Sequence, residues 1–499
     1  MRTHFLVGIA MVLGLLGMGL LPAWADKQDQ DALLSGVKEI GAPGLPGTVC
    51  AFAPEAFPVV VGRVGRNLTE PVVAAGAYGK GHIVLFGHTA YLDDALETAD
   101  TGKLVVNAVR WATPKKPTGP KPIWVRGLPR LLAYLQKQGL EARALDGDDW
   151  LTPLNEVGVL CMFTGDLNDR EIRALQAYLE RGGGLISADT GWGWKQIHGG
   201  KSLTEHPGNR LLAPAGLAWS EGMLQRTSPM GFDTLRAPSD LCQAQNALKT
   251  VVAQADGGAQ HPADEIAQAV WTISAAARIL PADDPLLRPR LKALQQAHQA
   301  ELTQIGQKPL TAGDSLARLL LTLQLEETKN LPADKVQANP AAQSFPGGVP
   351  ADARRISRAI DLDTSVPDWH STGLYAAPGE KITVVIPQEL IGKGLQVRIG
   401  AHTDTLWHLD RWERAPEITR TFPLKAQSTP AANAFGGPIY LVVPVKCKLG
   451  TVSVTLHNAV AAPYFVRGQT DLTAWRTAIR NAPAPWAELQ ANSVILTVP

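Results

Sequence analysis

Only four cysteines occur in this 499-residue chain, Cys50, Cys161, Cys242 and Cys447, far apart and in apolar surroundings, with no C-x-x-C pair among them. That spacing excludes a zinc ribbon, and buried free thiols are expected, although an exported protein could oxidise a pair of them. An excess of charge is also absent. The 47 Lys and Arg nearly balance 46 Asp and Glu, for a net +1, and the first 25 residues carry Arg2 and no acid, so their removal brings the balance to 0. Nothing electrostatic therefore points to nucleic acid or anionic lipid as a partner. After Leu21 no apolar run is long enough for a bilayer, so no membrane span is expected in the processed chain. No internal repeat of fixed period is present. Nowhere does H-E-x-x-H occur, the helical spacing that puts two zinc-binding His one turn apart with a Glu to activate water. No catalytic residue, metal ligand or cofactor is therefore assigned to this chain.

What is present is ample apolar material, 45% of residues against 19% charged, enough for three or four domains. Arg2, the apolar run Phe5 to Leu21 and the small-residue site Ala23-Trp24-Ala25 have the layout of a secretory signal peptide, 1–25, implying a periplasmic, cell-surface or secreted protein. An uncleaved anchor is the alternative, disfavoured by its short core. Residues 26–235 alternate strand and helix signals, with a possible sub-boundary at the Pro-rich 117–122. Two apolar runs broken by Gly79-Lys80-Gly81 predict a hairpin. Asn168 and Glu171 form a capping-box pattern ahead of Ile172, Leu175 and Leu179 at helical spacing. Such alternation predicts a parallel sheet covered by helices. Residues 236–331 read as helical, with Leu316, Leu319, Leu320 and Leu323 on one face. The Pro/Ala/Gly-rich 332–354 reads as a linker, and short strands separated by turns over 355–499 predict an antiparallel β-sandwich.

Four groups of residues could carry chemistry. In HTDTLWHLD, the residues His402, Asp404, His408 and Asp410 would share one face of a strand, but Asp404 and Thr405 equally suit a turn after a strand, so no metal is assigned. Cys161 stands in VLCMFTG, without the glycines of a nucleophile elbow, and is expected to be an inert core thiol. The segment DTGWGWKQIHGGKS follows a predicted parallel strand, where ligands of open α/β sheets collect. There Asp189 could accept hydrogen bonds, Trp192 and Trp194 could stack on a sugar ring, and His198 could donate; alternatively both tryptophans pack the loop onto the sheet. His82 and His88 flank a strand and receive no catalytic role, and Asn67-Leu68-Thr69 matches a glycosylation acceptor.

Three blocks in order, WHSTGLYAAPGEKITVVIP, VRIGAHTDTLWHLDRWERAPEITRTFPL and NAFGGPIYLVVP, resemble the opening of the enhancin-like zinc metallopeptidase domain, peptidase family M, number sixty. Its structural signature falls on Trp369, Gly373, Tyr375, Pro378, Gly379, His402, Asp404, Gly436, Gly437 and Tyr440 of this chain. AYGKGHIVLFGHTAYL, VNAVRW and GGGLISADTGWGW resemble the class I glutamine-amidotransferase-like, flavodoxin-like domain that precedes such peptidases and occurs in TRP channel-associated factors. The resemblance implies the N-terminal, non-catalytic portion of an exported peptidase acting on glycoproteins such as mucins, with a glycoprotein or glycan ligand. Zinc is expected only in a complete family member. The stop at Pro499, about where the catalytic half should begin, suggests a fragment that is inactive alone. The alternative is a non-enzymatic recognition protein, either like the channel-associated factors or a carbohydrate-binding surface protein.

Overall fold

A computed structural model describes residues 23–65, 67–114, 122–199, 201–302, 308–329, 331–407, 409–445, 447–492 and 494–499; most of the expected signal peptide lies outside them. Helix α1 (Ala23–Leu33) opens the described chain, and the fold divides into two compact units at Gln243/Ala244. No helix among the described residues is long and apolar enough to cross a membrane.

The first unit is organised by a seven-stranded sheet of β1 (Phe57–Val64), β2 (Leu68–Tyr78), β3 (Gly81–Phe86), β4 (Ile123–Val125), β5 (Ala142–Ala144), β6 (Val159–Cys161) and β7 (Gly184–Ala188). Their order across the sheet is β1-β2-β3-β7-β6-β4-β5. From β3 to β5 neighbours are parallel, whereas β1, β2 and β3 are antiparallel. The sheet is thus mixed and departs from the expected flavodoxin-like parallel sheet. The reason is the Gly79-Lys80 turn, which returns the chain beside β2 with Tyr78 opposite Gly81 and thereby fills one flank with hairpin strands. Gly79 has φ +60°, and a Cβ there would lie 2.7 Å from Glu180 Cα.

Helices α2 (Thr101–Ala112), α3 (Pro129–Lys137) and α4 (Asp169–Glu180) accompany the parallel strands. The predicted capping box of α4 is formed: Asn168 Oδ1 accepts from the Arg170 and Glu171 amides, and Glu171 Oε2 accepts from Asn168 N at 2.8 Å. Leu104, Val105, Val84, Phe86, Cys161 and Ile186 meet in the core between sheet and helices.

Helices α5 (Gly191–Ile197) and α6 (Pro207–Leu212) complete the helices of the first unit, and the second unit joins α7 (Ala244–Ala255), α8 (Ala263–Ala277), α9 (Arg288–Ala297) and α10 (Ser315–Lys329) to a β-sandwich-like sheet. Its antiparallel strands are β8 (Arg355–Asp363), β9 (Asp368–Ala376), β10 (Ile382–Val385), β11 (Gln396–Ile399), β12 (Arg420–Pro423), β13 (Ser428–Ala431), β14 (Gly437–Val443) and β15 (Thr451–Ala461). Leu374, Ile382, Val397, Ile439, Val454 and Leu456 fill its core. A three-stranded sheet follows, β16 (Tyr464–Val466), β17 (Ala487–Gln490) and β18 (Ile495–Val498), with β16 parallel and β18 antiparallel to β17.

The stretch 332–354 does not run free as a linker. Ala341 and Ala342 are buried, Asn339 N donates to Ala434 O at 2.8 Å, and its side-chain amide donates to Gln324 Oε1 at 3.0 Å. The HTDTLWHLDRW block has a similar holding role. Arg318 of α10 donates to the carbonyls of Leu409 and Asp410 and lies 3.9 Å over the Trp412 ring, and Arg278 lies 5.3 Å over Trp407. Guanidinium groups stacked on indoles thus hold the helices to this loop.

Candidate functional site

In the first unit, chain segments leaving the carboxyl ends of β3, β6 and β7 converge, the position at which open α/β sheets bind ligands. Asp189 follows β7 directly, and its amide donates to Phe86 O at 3.1 Å. Its Oδ1 accepts from Thr190 N at 2.7 Å, and its Oδ2 lies 3.1 Å from His206 Nε2. His206 is completely buried, and its Nδ1 accepts from Asn209 N as the N-cap of α6 (Pro207–Leu212). With Nδ1 an acceptor, Nε2 carries the proton of the neutral ring and donates it to Asp189. Both ring nitrogens are used, so this pair orients a carboxylate and leaves no free imidazole base. Gly165 makes room for it, because a Cβ there would come 2.7 Å from Asp189 Oδ2.

The two tryptophans of the loop separate. The loop is helix α5 (Gly191–Ile197), and Trp194, only 6% exposed, turns inward. Its indole N–H donates to Gly165 O at 3.3 Å; its ring stacks on His198 at 4.2 Å and lies 4.8 Å from His206. His198 also places Nδ1 2.8 Å from Trp194 O. Trp194 therefore packs α5 onto the sheet, offering no open face to a sugar, and His198 is its stacking partner. Trp192 is half-buried at the rim and donates to Leu45 O at 3.2 Å.

His88, given no role by the sequence, stands across from them after β3. Its Nδ1 accepts from Ala90 N at 3.1 Å, so the neutral ring carries its proton on Nε2. Burial holds its pKa below the ordinary value, opposed by the nearby Asp189 carboxylate. A Cβ on Gly47 would be 3.0 Å from Gly87 O and 3.5 Å from both Thr190 Cα and Trp192 Cδ1, so its bare backbone lets these segments close together. Asp189 and His88 thus lie near enough to interact, an acceptor carboxylate and a neutral N–H donor at the carboxyl end of the sheet, with the Trp192 indole beside Gly47. No sequence signal marked His206, since His is not a preferred N-cap.

Other candidates are structural. Cys161 is fully buried in β6, and burial pushes its thiol up to about 12, which removes the thiolate a nucleophile needs. His82 lies 4.5 Å from the Trp111 ring, as a packed side chain. His402 Nδ1 is 3.7 Å from Asp404 Oδ1, but Asp404 is also engaged at 2.6 Å by Arg414, and the His402 ring packs against Phe345 and Trp486. His408 lies outside the described residues. Among those described, no three His, Cys, Asp or Glu side chains gather where they could hold a metal.

Most signature residues serve packing. Trp369 lies 5.0 Å from Tyr440, and the Tyr375 hydroxyl donates to Gly347 O at 3.1 Å. Gly373 (φ +63°) lies under the Tyr464 ring, and Gly379 (φ +73°) passes so close to Ala338 that a Cβ would meet its backbone N at 2.2 Å. Gly436 and Gly437, also at positive φ, bring their turn against Pro378 and Gly400.

Residues 351–457 match the N-terminal domain of M60-like peptidases, and residues 458–499 match peptidase M60, enhancin and enhancin-like. Residues 21–230 match a family described as TRPM8, N-terminal domain. These matches show the class of protein the chain is similar to, M60-like over an N-terminal-domain match followed directly by an M60 match. More particularly, the chain is similar to the M60-like peptidases over residues 351–499 and, along most of its length, to the TRPM8 channel-associated factors. It is 30% identical over 488 residues to TRPM8 channel-associated factor 2 of Bos taurus, covering 95% of this chain and 50% of that one. The TRPM8 channel-associated factor homolog of Danio rerio is 28% identical over 489 residues, covering 94% and 50%. The chain spans about half the length of these curated relatives. Among solved structures, the IMPa metallopeptidase from Pseudomonas aeruginosa is similar with 17% identity and a TM-score of 0.49, covering 95% of this chain and 57% of that one.

Proposed function

We propose that this chain is the recognition-bearing, non-catalytic N-terminal portion of an exported M60-like protein that acts on glycoproteins, mucins among them. The carrying observation is the order of family matches, with 351–457 running directly into 458–499. Zinc chemistry would belong to residues other than those described, and no hydrolytic step is assigned to this chain. Export rests on the signal-peptide layout of residues 1–25. In the first unit, the rim of Asp189, His88 and Trp192 suits a sugar: the carboxylate accepts from hydroxyls, the His88 N–H donates, and the indole offers apolar area.

The test is binding of the purified chain to immobilised mucin-type O-glycoprotein before and after enzymatic removal of its glycans. Retention that disappears on deglycosylation and weakens about tenfold in Asp189→Asn supports the reading. Equal retention on both surfaces refutes glycan recognition.

A second reading is a non-enzymatic binding protein of the channel-associated-factor type, favoured by identity to those factors along 95% of the chain. Capture of a protein partner that survives complete deglycosylation would favour it.

A further inference from the structure

The most buried side chain of the three-stranded sheet is a carboxyl. Glu488 on β17 is 1% exposed, while the other residues of that strand are partly open. Its backbone is fixed on both sides, opposite Tyr464 of β16 and Thr497 of β18, and its amide donates to Pro463 O at 2.9 Å. The side chain faces Tyr440 of β14 and Ser371 of β9, both buried strand residues of the sandwich. The Tyr440 and Ser371 hydroxyls lie near enough to act on this carboxyl, but among the described residues Glu488 Oε1 and Ser371 Oγ find no well-directed hydrogen-bond partner.

Among the described residues, the groups that act on Glu488 include no counter-ion. From β14 comes Tyr440, whose hydroxyl lies 3.4 Å from Thr497 Oγ1 of β18; from β16 comes Tyr464, whose hydroxyl donates to Gln490. Arg398 of β11, the cation that bears on Tyr440, is committed elsewhere: it donates to Gly400 O and His402 O and lies 4.1 Å over the Trp369 ring. An ionised carboxylate here would be buried without a cation and with an orphaned oxygen, an expensive state; the neutral acid is far cheaper and can itself donate. Burial accordingly pushes the Glu488 carboxyl up, against a smaller pull from the Tyr440 and Ser371 hydroxyls. The same burial, with Glu488 nearby, pushes the Tyr464 hydroxyl up to about 12.

We propose that Glu488 is a proton-operated latch joining the three-stranded sheet to the sandwich, closed while its carboxyl is protonated and released when it ionises. The sign follows from linkage. A carboxyl whose folded value is raised above its unfolded value binds its proton more tightly when folded. Its stabilising contribution is therefore complete below the ordinary value of 4.5, is lost as the pH rises from there through the raised value, and is constant above it. Residue 457 ends one family match and residue 458 begins the next, so the latch lies just beyond that junction and makes the attachment of the later module dependent on acidity. It does not depend on glycan recognition.

The experiment is amide hydrogen exchange at Tyr464–Val466 and Ala487–Gln490 from pH 4 to 8, normalised for intrinsic exchange. Protection is expected to fall with rising pH, by about tenfold for each unit by which the Glu488 value is raised. Glu488→Gln, a permanently neutral analogue, should keep the acid-form protection and lose the slope. An unchanged slope in Glu488→Gln, or flat wild-type protection, overturns the proposal. Carbon-13 titration of the Glu488 carboxyl in the wild-type chain decides independently of any variant: a midpoint above 4.5 supports the latch, and one at or below it overturns it.

Discussion

The His206 imidazole donates from Nε2 to Asp189 Oδ2 at 3.1 Å while its Nδ1 caps α6, so one buried ring ties the end of β7 to the start of a helix. Replacing it by Ala would leave the Asn209 amide unpaired and Asp189 Oδ2 without its His206 donor, with only Oδ1 still held by Thr190 N. A loss of about 2 kcal/mol is expected, read as a shift of the denaturation midpoint at constant slope. His206→Ala that is as stable as the wild type would contradict the assigned roles.

The two tryptophans of α5 should behave oppositely. Trp194→Ala opens a cavity under the helix and is expected to cost about 3–5 kcal/mol. Trp192→Ala should leave the melting temperature within a few degrees while weakening glycoprotein retention. Calorimetry and the binding assay, run on both variants, check this separation.

The thiol of Cys161 should resist modification. With its pKa pushed up to about 12 and no exposed surface, it should not react with a thiol reagent at pH 8 until the unit unfolds. Fast labelling under native conditions, located by peptide mapping, would show that β6 opens locally.

Burial lowers the His88 value, so the folded chain disfavours the charged ring. Stability present above the ordinary value of 6.5 should decline as the pH falls through it toward the lowered folded value. His88→Gln should flatten that part of the stability profile, measured by thermal melting between pH 5 and 8.

Arg318 should be irreplaceable by Lys, because it uses a planar fork for the Leu409 and Asp410 carbonyls and a flat face for Trp412. Arg318→Lys should raise hydrogen exchange in α10 several-fold, with exchange in the sandwich core unchanged.

Local features were legible in the sequence because local chemistry decides them. The hairpin followed from glycine at the turn, the α4 cap from Asn168 and Glu171, and the sandwich strands from short apolar runs separated by turn residues. What escaped was long-range. Strand order depends on which segments pair, so it was not visible that the predicted hairpin, extended by β1, joins the edge of the parallel strands and makes the sheet mixed. Composition made 332–354 look like a linker, although Asn339 and two buried alanines fix part of it by contacts with distant residues. In the candidate site, Asp189 and Trp192 were singled out from their place after a strand, and the structure puts both at the carboxyl end of the sheet. His206 was missed because its partner is 17 residues away, and Trp194 could not be sorted inward from the loop's sequence alone.

The seat of β3 between β2 and β7 has a further bearing on how this unit can be shortened. A variant beginning at Ile123 would keep β4 to β7 but strip one whole side of β7, baring a row of amides and carbonyls on an apolar ribbon. Such an edge recruits other chains, so trimming toward a minimal four-stranded version should yield aggregates in place of a smaller soluble module.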